Sequence, residues 1–261
     1  MTRTRWPLLV FGLLVGLWLF LPTLVIVPVA FNPRRSLAVS LSDWSPQWFR
    51  EFFTDPRWLQ ALINSLIIAG QASVLATVLG TAAAFALQRL RGLSRRLVDG
   101  LLTAPVIIPV ILLGIGVYFS FLRWGLAGTT AGLVLAHAVT AIPLVAQPVS
   151  AALSRHDRNL DRAAESLGAS LPARVVQVTL PVIAPGVLAG ALFAFVWSFD
   201  EVVMAVFLTS PRLQTLPVLM FNSVTQNVDP TVAAAAVLVL TGSTLVVALA
   251  LAVSRKGASR G

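Results

Sequence analysis

The stretch SRHDRNLDRAAESLGASLPARVVQVTLP, residues 154–181, decides how the rest of the chain is read. It gathers Arg155, Asp157, Arg158, Asp161, Arg162, Glu165 and Arg174 between two long apolar runs, 131–152 and 184–208. Within it, Asn159 can cap a helix, with Asp161 in the first turn near the positive end of the dipole. Leu160, Ala163, Ala164 and Leu167 recur at helical spacing and form one apolar face. Gly168 then fits a left-handed stop. Ser170 can cap a second short helix with Pro172 in its first turn. Val175 and Val178 face inward, and Leu180-Pro181 ends it. The expectation is a helix–turn–helix elbow with a small apolar face that no membrane-spanning core covers. Such a face needs a protein partner.

Outward from this elbow the chain is mostly apolar. Of 261 residues 57% are hydrophobic and 11% charged, against about 25% charged in a soluble domain. Six runs reach the roughly 20 apolar residues of a spanning helix: 7–31, 61–87, 100–122, 131–152, 184–208 and 232–253. Each is expected to be helical, because lipid offers no partner to a free backbone amide. The first run follows Arg3 and Arg5 but exceeds the roughly 7–15 residues of a signal core, so it reads as a retained helix. The fold class is therefore an all-α membrane protein of six transmembrane helices. Three segments are expected: 1–58, a first helix and outer segment; 59–253, a core of five helices; and 254–261, a cytoplasmic tail.

The net charge of +9 suggests nucleic acid only if its distribution is ignored. Thirteen of the 19 cationic residues fall on one side of the six-span arrangement: Arg3, Arg5, Arg89, Arg91, Arg95, Arg96, Arg155, Arg158, Arg162, Arg174, Arg255, Lys256 and Arg260. Arg34, Arg35, Arg50, Arg57, Arg123 and Arg212 fall on the other. The bias places both termini in the cytoplasm and accounts for the charge without nucleic acid. Trp6, Trp44, Trp48, Trp58 and Trp124 fall at or beside span ends, where interfacial belts form. In the outer segment, Ser45-Pro46 can open a short helix with Trp48, Phe49, Phe52 and Phe53 on one face. That helix lies on the membrane surface or against the other helices. Cysteine is absent, and His137 and His156 are too few for a metal cluster.

Two spans carry small residues at four-residue spacing: Ala72, Ala76, Gly80 and Ala84, and Gly186, Gly190, Ala194 and Ser198. Such stripes allow close backbone approach and place both helices in the crowded centre. Pro105, Pro109, Pro143 and Pro148 predict bent or locally unwound helices. Asp200 and Glu201 are the carboxylates inside a predicted span. They lie about 22 Å beyond Pro185 at 1.5 Å per residue, in the outer half of the membrane. Helical geometry turns Glu201 toward the packed interior and Asp200 to its edge. Ionised groups at such depth face a cavity, a bundle interior or a partner. The pair is read either as an attractor of a cationic solute, or as a capped helix end or an ion pair with Arg123 or Arg212.

The elbow resembles the loop of the inner-membrane permeases of bacterial ABC importers: Glu-Ala-Ala, three residues, Gly, nine residues, Ile, any residue, Leu-Pro. Here Arg162-Ala163-Ala164, Gly168 and Val178-Thr179-Leu180-Pro181 stand at that spacing, with Val for Ile and Arg for Glu. The segments 62–87, 105–116, 136–145 and 193–217 look like the spermidine/putrescine permease branch. The resemblance implies a type-1 importer bundle in the bacterial inner membrane. It implies that Leu160, Arg162, Ala163, Ala164, Leu167, Gly168, Val178, Leu180 and Pro181 couple it to a cytoplasmic ATPase dimer. It implies a second permease in a heterodimer, a periplasmic substrate-binding protein, and passage of a polyamine or similar small cation, with Asp200 and Glu201 as candidate pathway residues. Separately from the resemblance, the single lysine, Lys256, stands in no phosphate-binding P-loop. No cofactor is expected on this chain, and ATP would be bound by the partner. Other cargoes for such an importer are an opine, a phosphonate compound or ferric iron. An ion-coupled secondary transporter using Asp200 and Glu201 is the reading from another class. No nucleophile–base motif supports a membrane enzyme.

Overall fold

The computed structural model describes residues 5–39 and 43–258, and the apolar runs among them fold as helices. In chain order they are α1 (Arg5–Leu24), α2 (Ile26–Ala30), α3 (Gln47–Thr54), α4 (Pro56–Arg89), α5 (Gly92–Ile107), α6 (Val110–Trp124), α7 (Thr130–Arg155), α8 (Arg158–Ser166), α9 (Leu171–Arg174), α10 (Leu180–Asp200), α11 (Val203–Leu208), α12 (Leu216–Asn222) and α13 (Thr231–Ala258). Of the residues used to orient the chain, Arg3 and Arg260 lie outside the described residues, as does part of the expected tail 254–261. Among the described residues, four helical runs are long and apolar enough to cross a membrane: Trp6–Ala30, Pro56–Arg89, Thr130–Arg155 and Leu171–Asp200. The sixth expected run, 232–253, falls within α13.

The expected third span, 100–122, is not one helix. It is α5 and α6 meeting at 101°. The break follows from Ile108-Pro109. A residue before proline is pushed out of the helical region, and Ile108 is extended at φ −69°, ψ 130°. Pro105 lies inside α5, and Pro143 and Pro148 lie inside α7, without interrupting the helical run. The expected fifth span, 184–208, is also redrawn. The helical run starts at Leu171 and stops at Asp200, and Val203–Leu208 is a separate helix.

The chain forms two compact units. One comprises residues 1–59 and 219–261. Here α2 and α3 lie on α13, with Val29, Ala30 and Ala233 buried together and Phe49 and Val237 against them. The Trp48 indole N–H donates to the Asn32 carbonyl at 2.6 Å, and Phe52 stacks near Trp58 at 5.8 Å. The expected aromatic face of α3 is therefore real at Trp48 and Phe52, both buried, whereas Phe53 is exposed. Asp55 precedes Pro56 at the first position of α4 and accepts the Arg57 N–H at 2.9 Å. The Arg57 side chain bonds the same carboxylate and holds it below its ordinary value.

The other unit, residues 60–218, holds the expected crowded centre. Both small-residue stripes close on α7. A Cβ on Gly80 would stand 2.7 Å from Val145 Cβ, and one on Gly190 would stand 2.9 Å from Val145 Cα. A Cβ on Gly186 would stand 2.7 Å from Ala152 Cβ. Hence α7, not either striped helix, is the element the others surround. Ser73 of α4 donates to the Ala191 carbonyl of α10 at 2.8 Å, a bond that matters more where no water competes.

Candidate functional site

The elbow's first helix is capped two residues earlier than expected. Asp157, not Asn159, caps α8: its carboxylate accepts the Asn159 N–H at 2.9 Å. Asp157 is the residue before the first helical one, and Asn159 already lies inside the helix, so the carboxylate two residues back is the better placed acceptor. At the other end Gly168 takes φ +84°. Its N–H bonds the Glu165 carbonyl at 2.9 Å, and the Ala169 N–H bonds the Ala164 carbonyl at 3.0 Å. These two bonds are a Schellman stop, in which glycine avoids the left-handed penalty on a side chain.

The second half of the elbow is corrected. Leu180-Pro181 does not end a short helix. Instead α9 passes through a π turn, Val175–Thr179, directly into α10. The Leu180 N–H reaches back five residues to the Val175 carbonyl. Proline has no N–H and crowds the carbonyl four residues back. A widened turn immediately ahead of Pro181 accommodates both facts, and π turns of this kind recur at functional sites. Val178 lies in that turn, and Leu180 and Pro181 open α10.

Hydrogen bonds tie α8 to the residue that caps α7 and to the π turn. His156 Nε2 lies 3.0 Å from Asp161 Oδ2, and Thr179 donates to Asp161 Oδ1 at 3.1 Å. Arg174 pairs with Glu165 at 2.7 Å. The carboxylates flanking Arg162 are thus both engaged within the elbow. The face left outward carries Leu160 at 47% and Leu167 at 89% exposure, with Arg162 and Ala163 exposed and Ala164 half-buried. Covering a leucine such as Leu167 is worth about 2 kcal/mol, so this face has much to gain from a partner.

The second candidate feature is the acidic pair. Asp200 is the last residue of α10 and is exposed, while Glu201 is buried in the non-helical joint before α11. Glu201 Oε1 accepts the Met204 N–H at 2.8 Å and Oε2 the Ala205 N–H at 2.9 Å. Those N–H groups belong to the first turn of α11, which has no intrahelical acceptors for them. The Glu201 carboxylate therefore positions α11, whose Met204, Ala205 and Leu208 are buried together with Leu133 and Phe121. Beside it lies His137 of α7, fully buried. Its Nδ1 is 2.8 Å from Ser198 Oγ, and its Nε2 is 3.6 Å from Glu201 Oε2. His137 entered the sequence reading only as too rare for a metal site. The overlooked signal is that any ionisable residue inside a span needs a partner.

A polar cavity of about 540 Å³ opens between α4, α5 and α7, lined by Gln88, Asp99, Thr103, Gln147 and Ser150 among others. Gln88 and Gln147 were not singled out in the sequence.

Residues 76–257 match the protein family described as "Binding-protein-dependent transport system inner membrane component". The chain is similar to the putrescine transport system permease protein PotI of Escherichia coli (strain K12), at 33% identity over 246 residues, covering 91% of this chain and 86% of the relative. It is similar to the spermidine/putrescine transport system permease protein PotC of Haemophilus influenzae, at 30% identity, covering 94% and 95%. A solved bacterial ABC transporter that imports the acidic polysaccharide alginate matches with a TM-score of 0.70 at 15% identity, over 95% of this chain and 94% of that one. At that identity the likeness concerns the fold.

Proposed function

Because the chain belongs to the family of binding-protein-dependent transport system inner membrane components, a family of ABC importer permeases, we propose that it forms the membrane path for a polyamine, spermidine or putrescine, or a similar small cation. ATP is hydrolysed on a separate cytoplasmic subunit. The observation that carries this reading is the elbow: a helix stopped at Gly168, tied at Asp161 to His156 at the end of α7 and to Thr179 of the π turn, with Leu160 and Leu167 left uncovered. Its second half, α9 and the π turn, runs without interruption into α10, which suits transmission of ATPase closure into the bundle.

The polyamine assignment draws support from the names of the relatives and from the exposed carboxylate of Asp200. Glu201 holds the neighbouring joint in place, so in this account Asp200 attracts the cation and Glu201 sets where it stands. A second permease and a periplasmic binding protein complete the assembly. The thirteen-to-six cation bias supports placing both termini in the cytoplasm. Uptake of labelled putrescine into proteoliposomes, competed by spermidine, an opine, a phosphonate and ferric iron, tests the cargo. Competition by spermidine alone supports the proposal. Competition by one of the others, with spermidine inert, removes the polyamine assignment and leaves the importer architecture standing.

A further inference from the structure

A second cavity, about 510 Å³, lies beside the elbow and is walled by five arginines: Arg89, Arg91, Arg158, Arg162 and Arg174. The carboxylate facing it is Asp161, which is already occupied by His156 and Thr179. Arg174 is neutralised in part by Glu165, yet its Nε is buried without an acceptor. His156, with a side chain 4% exposed, also lines the cavity, and its Nδ1 is buried without a partner. Arg89, Arg91, Arg158 and Arg162 are exposed and form no ion pair among the described residues. Gathered around one void they make it electropositive, and the buried nitrogens of Arg174 and His156 left without partners are costly. Both conditions are relieved by one anion bearing several acceptor oxygens.

The position of the cavity narrows the chemistry. Arg89 is the last residue of α4, Leu153 lies in the last turn of α7, and Val175 lies in the π turn leading into α10. The cavity therefore sits where three apolar helices end, at the level of lipid headgroups. Phe85, Leu171 and Val175 give it an apolar side as well as the arginines. Guanidinium groups bind phosphate oxygens bidentately, and basic pockets between helix ends on the cytoplasmic side take phosphate headgroups. We infer that this cavity binds a phosphate group of net negative charge, from an anionic lipid headgroup or free phosphate, and so ties the elbow to that ligand. The inference does not depend on the cargo.

The test uses the full chain in nanodiscs of phosphatidylcholine, with and without an equal share of phosphatidylglycerol. Native mass spectrometry counts the retained phosphatidylglycerol. A parallel titration in phosphatidylcholine alone uses inorganic phosphate. Retention of phosphatidylglycerol assigns a lipid source, and saturable binding of inorganic phosphate assigns a soluble one. Either supports the site. Arg89→Gln and Arg158→Gln should each weaken that binding roughly fivefold, and Arg89→Lys should recover part of it. Arg212→Gln, an exposed arginine that does not line the cavity, should leave it unchanged. A thermal midpoint equal to that of the parent chain keeps a folding defect from imitating loss. Absence of both ligands in the parent chain would overturn the inference. So would unaltered binding in the Arg89 and Arg158 variants, or loss only of ATPase docking, which would assign the arginines to an acidic protein surface.

Discussion

At Glu201 both carboxylate oxygens accept backbone N–H groups, from Met204 and Ala205, whereas the adjacent Asp200 is exposed. The two residues should therefore fail differently. Glu201→Gln places an amide N–H₂ against a backbone donor. It should lower the thermal midpoint in detergent, at a cost of about 1–3 kcal/mol. Asp200→Asn should leave the midpoint unchanged and cut uptake of a dilute cationic solute about tenfold, through lost attraction. A destabilised Asp200→Asn, or a Glu201→Gln as stable as the parent, would reverse these roles. The burial of Glu201 and the exposure of Asp200 agree with the helical expectation, but its premise fails at Glu201, which lies in the extended joint after α10 and is held by the Met204 and Ala205 N–H groups. The contact of His137 with Ser198 was not legible, because it depends on the register of α7 against α10, which no local pattern specifies.

At the scale of elements, local chemistry was read well and continuity poorly. Gly168 and Pro109 act through their own backbone, so the elbow stop and the α5–α6 break follow from the residues themselves. Pro181 misled because its usual effect is to end a helix, and here a π turn absorbs it. The stripes identified which faces approach closely but not the common partner, Val145 of α7. Gly80→Val should accordingly overpack that contact and destabilise by about 1–3 kcal/mol, read as a lowered thermal midpoint. Gly70→Ala, where an added Cβ meets nothing within 4 Å, should not move it. Arg162→Glu tests the elbow's outward face. Docking that rests on Leu160 and Leu167 should survive the reversal, with ATP-driven uptake within about a factor of two by the small worth of exposed ion pairs.

For the whole molecule, the apolar runs carried most of the reading, because a membrane imposes length rules that act on sequence directly. The departures lie where helices break: at Ile108-Pro109 and at Glu201-Val202. A break within an apolar run frees backbone groups that need protein partners, and the second break finds them in the Glu201 carboxylate. The central claim is that the elbow transmits work from a separate ATPase into this bundle. Its stop depends on Gly168 at φ +84°, in open space where an added side chain strains the backbone and nothing else, by about 1–2 kcal/mol. The most direct measurement is the amount of labelled solute moved per ATP hydrolysed by the reconstituted complex, for the parent chain and for Gly168→Val. Continued hydrolysis, with that ratio falling toward zero, is expected of the variant. An undiminished ratio in Gly168→Val would contradict the central claim.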